Sequence, residues 1–301
     1  MSARADHESS SNMQAIAAMV LSQAVFTVND SLMKLAARIL PGGQAIFIRG
    51  LFTIVLAVAL AAALGALGSW RPLRRQWGLV SVRSLAEVGA TLLYLTALFN
   101  MPIADATAIL QVLPLAITAG AALFLGEPVG WRRWLATLVG FLGVIVIIRP
   151  GTSAFNAWSL VALASVGVIV VRDLTTRRID RSAPTVLLTV LSSLTVTAAA
   201  SSLSLTETWQ QPSPEALLLI GAAAVFLLGG YYFVIEAMRL GDVATVAPFR
   251  YSVILWAIIA GLVVFGERPD PLAMLGTAIV MAAGLYTFYR ERQLRLQRGQ
   301  A

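Results

Sequence analysis

Asp30, Arg49, Arg83, Glu87 and Arg250 are ionisable side chains set inside long apolar stretches of this 301-residue chain. A guanidinium binds a carboxylate through two parallel hydrogen bonds, whereas a carboxylate holds an ammonium group, balances a cation or carries a proton. Arg83 and Glu87 are four residues apart, one above the other on a helix face, so they can neutralise each other. The remaining arginines still outnumber the acids. The surplus cation points to a ligand bearing a carboxylate or similar anion, with Arg250 as the leading contact and Arg49 and Asp30 as further contacts. Glu87, Arg83 and Asp30 are candidates for proton coupling or charge balance.

Uncharged groups gather beside breaks in the same stretches. Pro114 and Pro248 each remove a backbone donor and kink a helix. Gln111 lies one turn before Pro114, and Tyr251 follows Pro248 and Arg250. In lipid such breaks are tolerated where other groups re-satisfy the backbone, although prolines are also simply commoner in membrane helices. Tyr94 and Trp256 add rings able to stack on a planar or cationic solute. These residues, with Arg250, Arg49 and Asp30, make up the expected substrate-binding set.

The chain lacks the groups that other chemistries need. It has no cysteine and one histidine, His7, near the start of a polar tail, which leaves no thiolate metal site, paired-histidine site or Ser-His-Asp triad. The sole lysine, Lys34, follows Met33, so there is no Walker A loop. No metal and no cofactor is expected. An intramembrane enzyme using Asp30 and Glu87 as acid and base, or a scaffold, stays open as an alternative without a motif to support it.

Ionisable groups at membrane depth cost about 2.5–3.5 kcal/mol on insertion scales, so the elements around them must bury or hydrate them. With 58% hydrophobic and 12% charged residues and a mean hydropathy of +0.81, the chain belongs in a bilayer. Ten apolar stretches reach membrane-crossing length: 13–37, 44–66, 77–99, 104–125, 131–149, 155–171, 184–205, 214–238, 243–265 and 271–290. Period-2 alternation is absent, so the expected fold is all-α. Most arginines fall on one side of this layout, among them Arg71, Arg74, Arg75, Arg132, Arg133, Arg177 and Arg178, with Arg38, Arg149 and Arg268 on the other. The positive-inside rule therefore puts both termini in the cytoplasm and the protein in the cytoplasmic (inner) membrane. Topology explains the net charge of +7, and no nucleic-acid partner is expected.

The chain also repeats itself. Ala104-Asp105-Ala106-Thr107 opens a run closing at Gly126-Glu127-Pro128, and about 140 residues later Asp242-Val243-Ala244-Thr245 opens one closing at Gly266-Glu267-Arg268-Pro269. Asp30 to Lys34 likewise matches Asp173 to Arg177, each an acid followed four residues later by a cation. Five spans per half is an odd number, so the second half enters the membrane from the opposite face and the repeats are inverted. The expected layout is a cytoplasmic tail over 1–12, taken as disordered, repeats over 13–150 and 155–290, and a basic tail over 291–301. Gly140 and Gly143, with Gly276 and Gly284, allow close helix contact and leave a homodimer open.

These paired Gly-Glu helix ends, the Asp30 to Lys34 stretch and the two five-span halves resemble the EamA-type transporters of the drug/metabolite transporter superfamily. The resemblance covers about residues 13–290 and implies a ten-helix inverted-repeat carrier with a central cavity, working by alternating access on a small-molecule substrate. Asn29-Asp30 to Lys34, Arg83 and Ala247-Pro248-Phe249-Arg250-Tyr251 are similar to the branch that includes S-adenosylmethionine uptake carriers. The fold alone does not choose the cargo. The expectation is a small polar metabolite, carboxylate-bearing, such as an amino acid or derivative, or S-adenosylmethionine specifically.

Overall fold

The computed structural model describes residues 2–126, 129–152, 155–180, 182–240 and 246–299, with side chains from Met13 to Gln293 apart from Met238, Arg239, Ala247, Glu291 and Arg292. Among the described residues there are ten apolar helical spans: Met13–Ala36, Gly42–Ala63, Trp77–Asn100, Ile103–Leu125, Trp131–Ile148, Trp158–Arg178, Thr185–Ser204, Pro214–Ala237, Pro248–Phe265 and Pro271–Arg290. They are numbered one to ten below. No strand occurs among the described residues, and the protein is an all-α membrane protein.

Several expected boundaries are corrected. The first helix starts at Ser2, so the polar tail taken as disordered continues the helix of span one; adding residues to a formed helix costs little compared with nucleating one. The last helix likewise runs on to Gly299. Span six reaches Arg178 rather than residue 171, which places Arg172, Asp173 and Thr176 on the helix. Span two ends at Ala63 and is followed by a 3-10 turn, Ala66–Gly68.

Two spans are interrupted. Span four consists of Ile103–Leu110 and Leu113–Leu125, with Pro114 in the first turn of the second piece. Proline offers no N–H to the carbonyl four residues back, here that of Leu110, so the α-helical ladder stops there. Span nine opens with a 3-10 segment, Ala247–Tyr251, containing Pro248, continues as Ser252–Ala260 and ends in a π-helical turn, Gly261–Phe265. Gly126 and Gly266 close spans four and nine in the left-handed region, each at φ 66°, where a residue without Cβ carries no steric penalty. Glu127 and Pro128 of the first motif, and Asp242 to Thr245 of the second, lie outside the described residues.

Two compact units divide the chain, and each draws on both sequence halves. One comprises residues 30–101 and 157–225. In it span two packs along span seven, and span three packs on spans six and seven. Gly50 faces the Thr197 side chain with no room for a Cβ between them. An apolar cluster including Ala57, Ala61, Leu73, Val80, Leu187 and Val190 joins spans two, three and seven toward the 64–76 and 179–184 loops.

The other unit comprises residues 1–29, 102–156 and 226–301. Here span five lies along span ten, and Ile103–Leu110 of span four packs on Ser252–Ala260 of span nine. Spans five and ten touch backbone to backbone: a Cβ on Gly143 would sit 2.8 Å from the Gly276 carbonyl oxygen, and one on Gly276 would sit 2.6 Å from that of Gly143. Small residues are what permit such close packing in lipid, where no hydrophobic force drives helices together.

Candidate functional site

In the unit containing spans two, three, six and seven, the polar side chains form two clusters. Asp30, in the last turns of span one, accepts a hydrogen bond from the Tyr94 hydroxyl of span three at 2.7 Å. One turn further on, Lys34 is buried at 7% exposure and donates to the Met101 carbonyl at 2.6 Å. A backbone acceptor freed where span three ends takes its ammonium. Arg49 is buried at 8% exposure in span two, next to the Gly50–Thr197 contact.

The second cluster sits on spans three, six and seven. Arg83 and Glu87 form the expected i,i+4 pair, at 3.7 Å. Arg172 of span six adds a second guanidinium to Glu87 at 3.4 Å and donates to Asp173 at 2.8 Å. Arg83 also donates to the Thr176 hydroxyl at 3.1 Å and to the Ser192 hydroxyl. The cluster holds as many cations as acids, so its charges balance across spans three and six, as ion pairs withdrawn from water require. The sequence pairs Asp173 with Arg177 at a helix end; the Arg172 contacts with Glu87 and Asp173 were not legible because span six was expected to end at residue 171. The available signal was the match of Asp173–Arg177 to Asp30–Lys34, which lies on the helix of span one.

In the unit containing spans four, five, nine and ten, the candidates sit at the helix breaks. Gln111 caps the Ile103–Leu110 piece, and its side-chain amide returns to the Thr107 carbonyl at 3.2 Å. Arg250, in the 3-10 segment, is exposed. Its neighbour Tyr251 turns the other way: it is 3% exposed, lies over Gly284, where a Cβ would collide with its ring, and meets Phe288 edge-on at 6.3 Å. The Tyr251 hydroxyl, the Ser252 hydroxyl and the Trp256 indole N–H are buried without a hydrogen-bond partner among the described residues. Beside them lies an apolar cavity of about 330 Å³, lined by Pro248, Phe249, Tyr251, Ser252, Ile254, Leu255, Ile258, Met281 and Leu285.

Outside the membrane-spanning segments, Asp270 accepts from Arg149 at 2.6 Å and from the backbone N–H of Leu272 at 2.8 Å. Desolvation pushes its carboxyl up, but the Leu272, Arg149 and Ala273 hydrogen bonds and the Arg149 charge together outweigh that and hold it below its ordinary value. Asp180, in the loop between spans six and seven, is also lowered, first by the backbone N–H of Ser182.

Comparison with known proteins agrees with this architecture. The profile of the EamA-like transporter family matches twice, over residues 13–149 and 155–289. The chain is 29% identical to a riboflavin transporter of Vibrio cholerae over 262 residues, 86% of this chain and 87% of that protein. It is 26% identical to an S-adenosylmethionine uptake transporter of Rickettsia prowazekii over 279 residues, 91% and 92% of the two chains. Similarity also extends to a pseudopaline exporter of Pseudomonas aeruginosa, 25% identical over 270 residues, 88% and 92% of the two chains. One solved structure superposes with a TM-score of 0.66 over 95% of this chain and 99% of its own at 19% identity, a likeness of fold alone. With its ten apolar spans and two copies of the family domain, this chain belongs to the EamA-like transporter family of the drug/metabolite transporter superfamily.

Proposed function

We propose that the protein is a secondary carrier that moves a small, polar, carboxylate-bearing metabolite, such as an amino acid or derivative, across the cytoplasmic membrane by alternating access of two inverted halves. The observation that carries this reading is the pair of broken spans. Spans four and nine occupy equivalent places in the two repeats, pack on each other, and leave the α-helix at Gln111–Val112 and at Ala247–Tyr251. Irregular backbone at membrane depth is tolerated where it is buried in protein or lines a water-filled cavity, and discontinuous helices of this kind carry substrate sites in other carriers.

In this reading Arg250, at the second break, contacts the solute carboxylate, with Gln111, Arg49, Asp30, Tyr94, Tyr251 and Trp256 as further contacts. Tyr251 and Trp256 contribute through the polar atoms they leave unpartnered beside the break. Glu87 and Arg83, held with Arg172, balance charge. Glu87 is the first candidate for coupling to protons and the Asp30 carboxylate the second, Asp30 also being placed to hold a solute cation. Both termini lie in the cytoplasm, and a homodimer is a possible assembly. S-adenosylmethionine is the second reading, favoured by the similarity to uptake transporters of that name along most of both chains.

A thermal-shift panel decides between them. Purified protein is screened with amino acids, S-adenosylmethionine, S-adenosylhomocysteine, riboflavin and organic acids, because a ligand that binds the folded state raises its stability. A carboxylate-bearing hit that Arg250→Ala abolishes, without loss of the fold, supports the reading. A hit restricted to riboflavin, or one indifferent to Arg250→Ala, overturns the carboxylate contact.

A further inference from the structure

Two glutamates outside the candidate site are built onto the starts of spans that carry it. The Glu207 carboxylate, in the loop after span seven, accepts the backbone N–H of Gly43 at 2.9 Å with one oxygen and that of Gln44 at 3.0 Å with the other. Gly43 makes the room: a Cβ there would meet both the Glu207 carboxylate and Leu203 at 2.9 Å. Gln44, fully buried, completes the junction by donating to the Gln210 carbonyl at 2.6 Å and accepting the Gln210 N–H at 3.1 Å.

Glu267 repeats the device in the other unit. It belongs to the second Gly-Glu motif, whose glutamate sequence reasoning treated only as a helix end. Its own N–H bonds the Gly261 carbonyl at 2.8 Å across the π-helical turn, and its carboxylate accepts the Ile103 N–H at 2.9 Å. The first N–H groups of a helix have no partner within it, and the positive end of its dipole favours an anion. Each carboxylate therefore docks the end of one span onto the start of its counterpart in the other repeat, seven onto two and nine onto four.

We propose that Glu207 and Glu267 are positioning residues for transport. Glu207 fixes the first turns of span two and so the height of Arg49; Glu267 fixes the Ile103–Leu110 piece and so the position of Gln111 at its end. This rests on the assignment of Arg49 and Gln111 to the substrate site, but the clasp is measurable without any solute.

The chain has no cysteine, so Gln111→Cys introduces one thiol whose rate of reaction with a hydrophilic maleimide reports the position of the break. In the full chain in nanodiscs, Glu267→Ala should change that rate by roughly threefold or more and speed amide exchange over Ile103–Ala106 by on the order of tenfold, the worth of a charged-group hydrogen bond. Glu267→Gln, which keeps an acceptor oxygen, should restore both. Glu207→Gln should not restore exchange fully at Gly43 and Gln44, because one amide oxygen replaces two carboxylate oxygens; it also serves as the test if an alanine variant does not fold. Unchanged exchange at Ile103, an unchanged thiol rate, or exchange accelerated equally along the whole chain would overturn the proposal. A failed solute screen would instead remove the carboxylate reading and leave this result standing.

Discussion

The Tyr94 hydroxyl donates to Asp30 at 2.7 Å, joining span three to the last turns of span one inside a single compact unit. Hydrogen bonds to charged groups contribute about 1.5–3 kcal/mol, more than neutral ones. Tyr94→Phe keeps the ring and removes only this donor. It should lower unfolding stability in nanodiscs by roughly that amount and weaken binding of any cationic solute. Equal thermal melts for the variant and the parent would show that the bond contributes nothing.

Glu87 lies between Arg83 and Arg172, at 3.7 and 3.4 Å. Removing one member leaves a charge without its partner, whereas removing an acid and a base together relieves it. Glu87→Gln and Arg172→Gln should each destabilise, and the double variant by less than their sum, with a coupling of about 1 kcal/mol or more in a double-mutant cycle. Strict additivity in chemical unfolding would place Arg172 outside the cluster.

Gly276 and Gly143 form a seam between spans ten and five that side-chain movement alone cannot relieve, because the nearest atom in the way at each is a backbone carbonyl oxygen. Gly276→Ala should cost about 1–3 kcal/mol, the usual penalty of overpacking. Gly167, in span six, has nothing within 4 Å of an added Cβ, so Gly167→Ala should be neutral or stabilise by up to about 1 kcal/mol. Melting temperatures of the two variants should thus move apart; a shared loss would deny the seam its role.

Asp270 sets a pH dependence at the start of span ten. Its carboxyl is held below the ordinary value of 3.8, so the folded form releases the proton more readily than the unfolded chain. Its contribution is therefore complete above that value and is lost as pH falls through the depressed one. Asp270→Asn should flatten the stability profile below about pH 4 while leaving its shape between pH 5 and 8 unaltered, as followed by thermal unfolding across pH. A parent profile as flat as the variant's would remove the Arg149 pair from the account.

The ten spans were legible because each is a matter of local composition, and hydropathy alone decides whether twenty residues prefer lipid. The breaks at Pro114 and Pro248 were legible for the same reason: a missing N–H acts on the same turn of chain. Span six was misjudged where Arg172 and Asp173 lowered the local hydropathy, although Glu87 on another helix compensates Arg172. The partner of Lys34 was not legible, because its acceptor, the Met101 carbonyl, is a backbone atom far along the chain and has no signature in sequence.

Thus the sequence by itself determined the solvent this protein folds in, its ten helices, its duplication and the family to which it belongs, all properties carried by residue type and short-range spacing. Only the tertiary structure decided which polar groups meet across helices: Asp30 with Tyr94, Glu87 with Arg172, Glu207 and Glu267 with the starts of spans two and four. Those pairings depend on which helix faces pack within each unit. In a bilayer, where every apolar face is equally content against lipid, close contact and polar satisfaction make that choice.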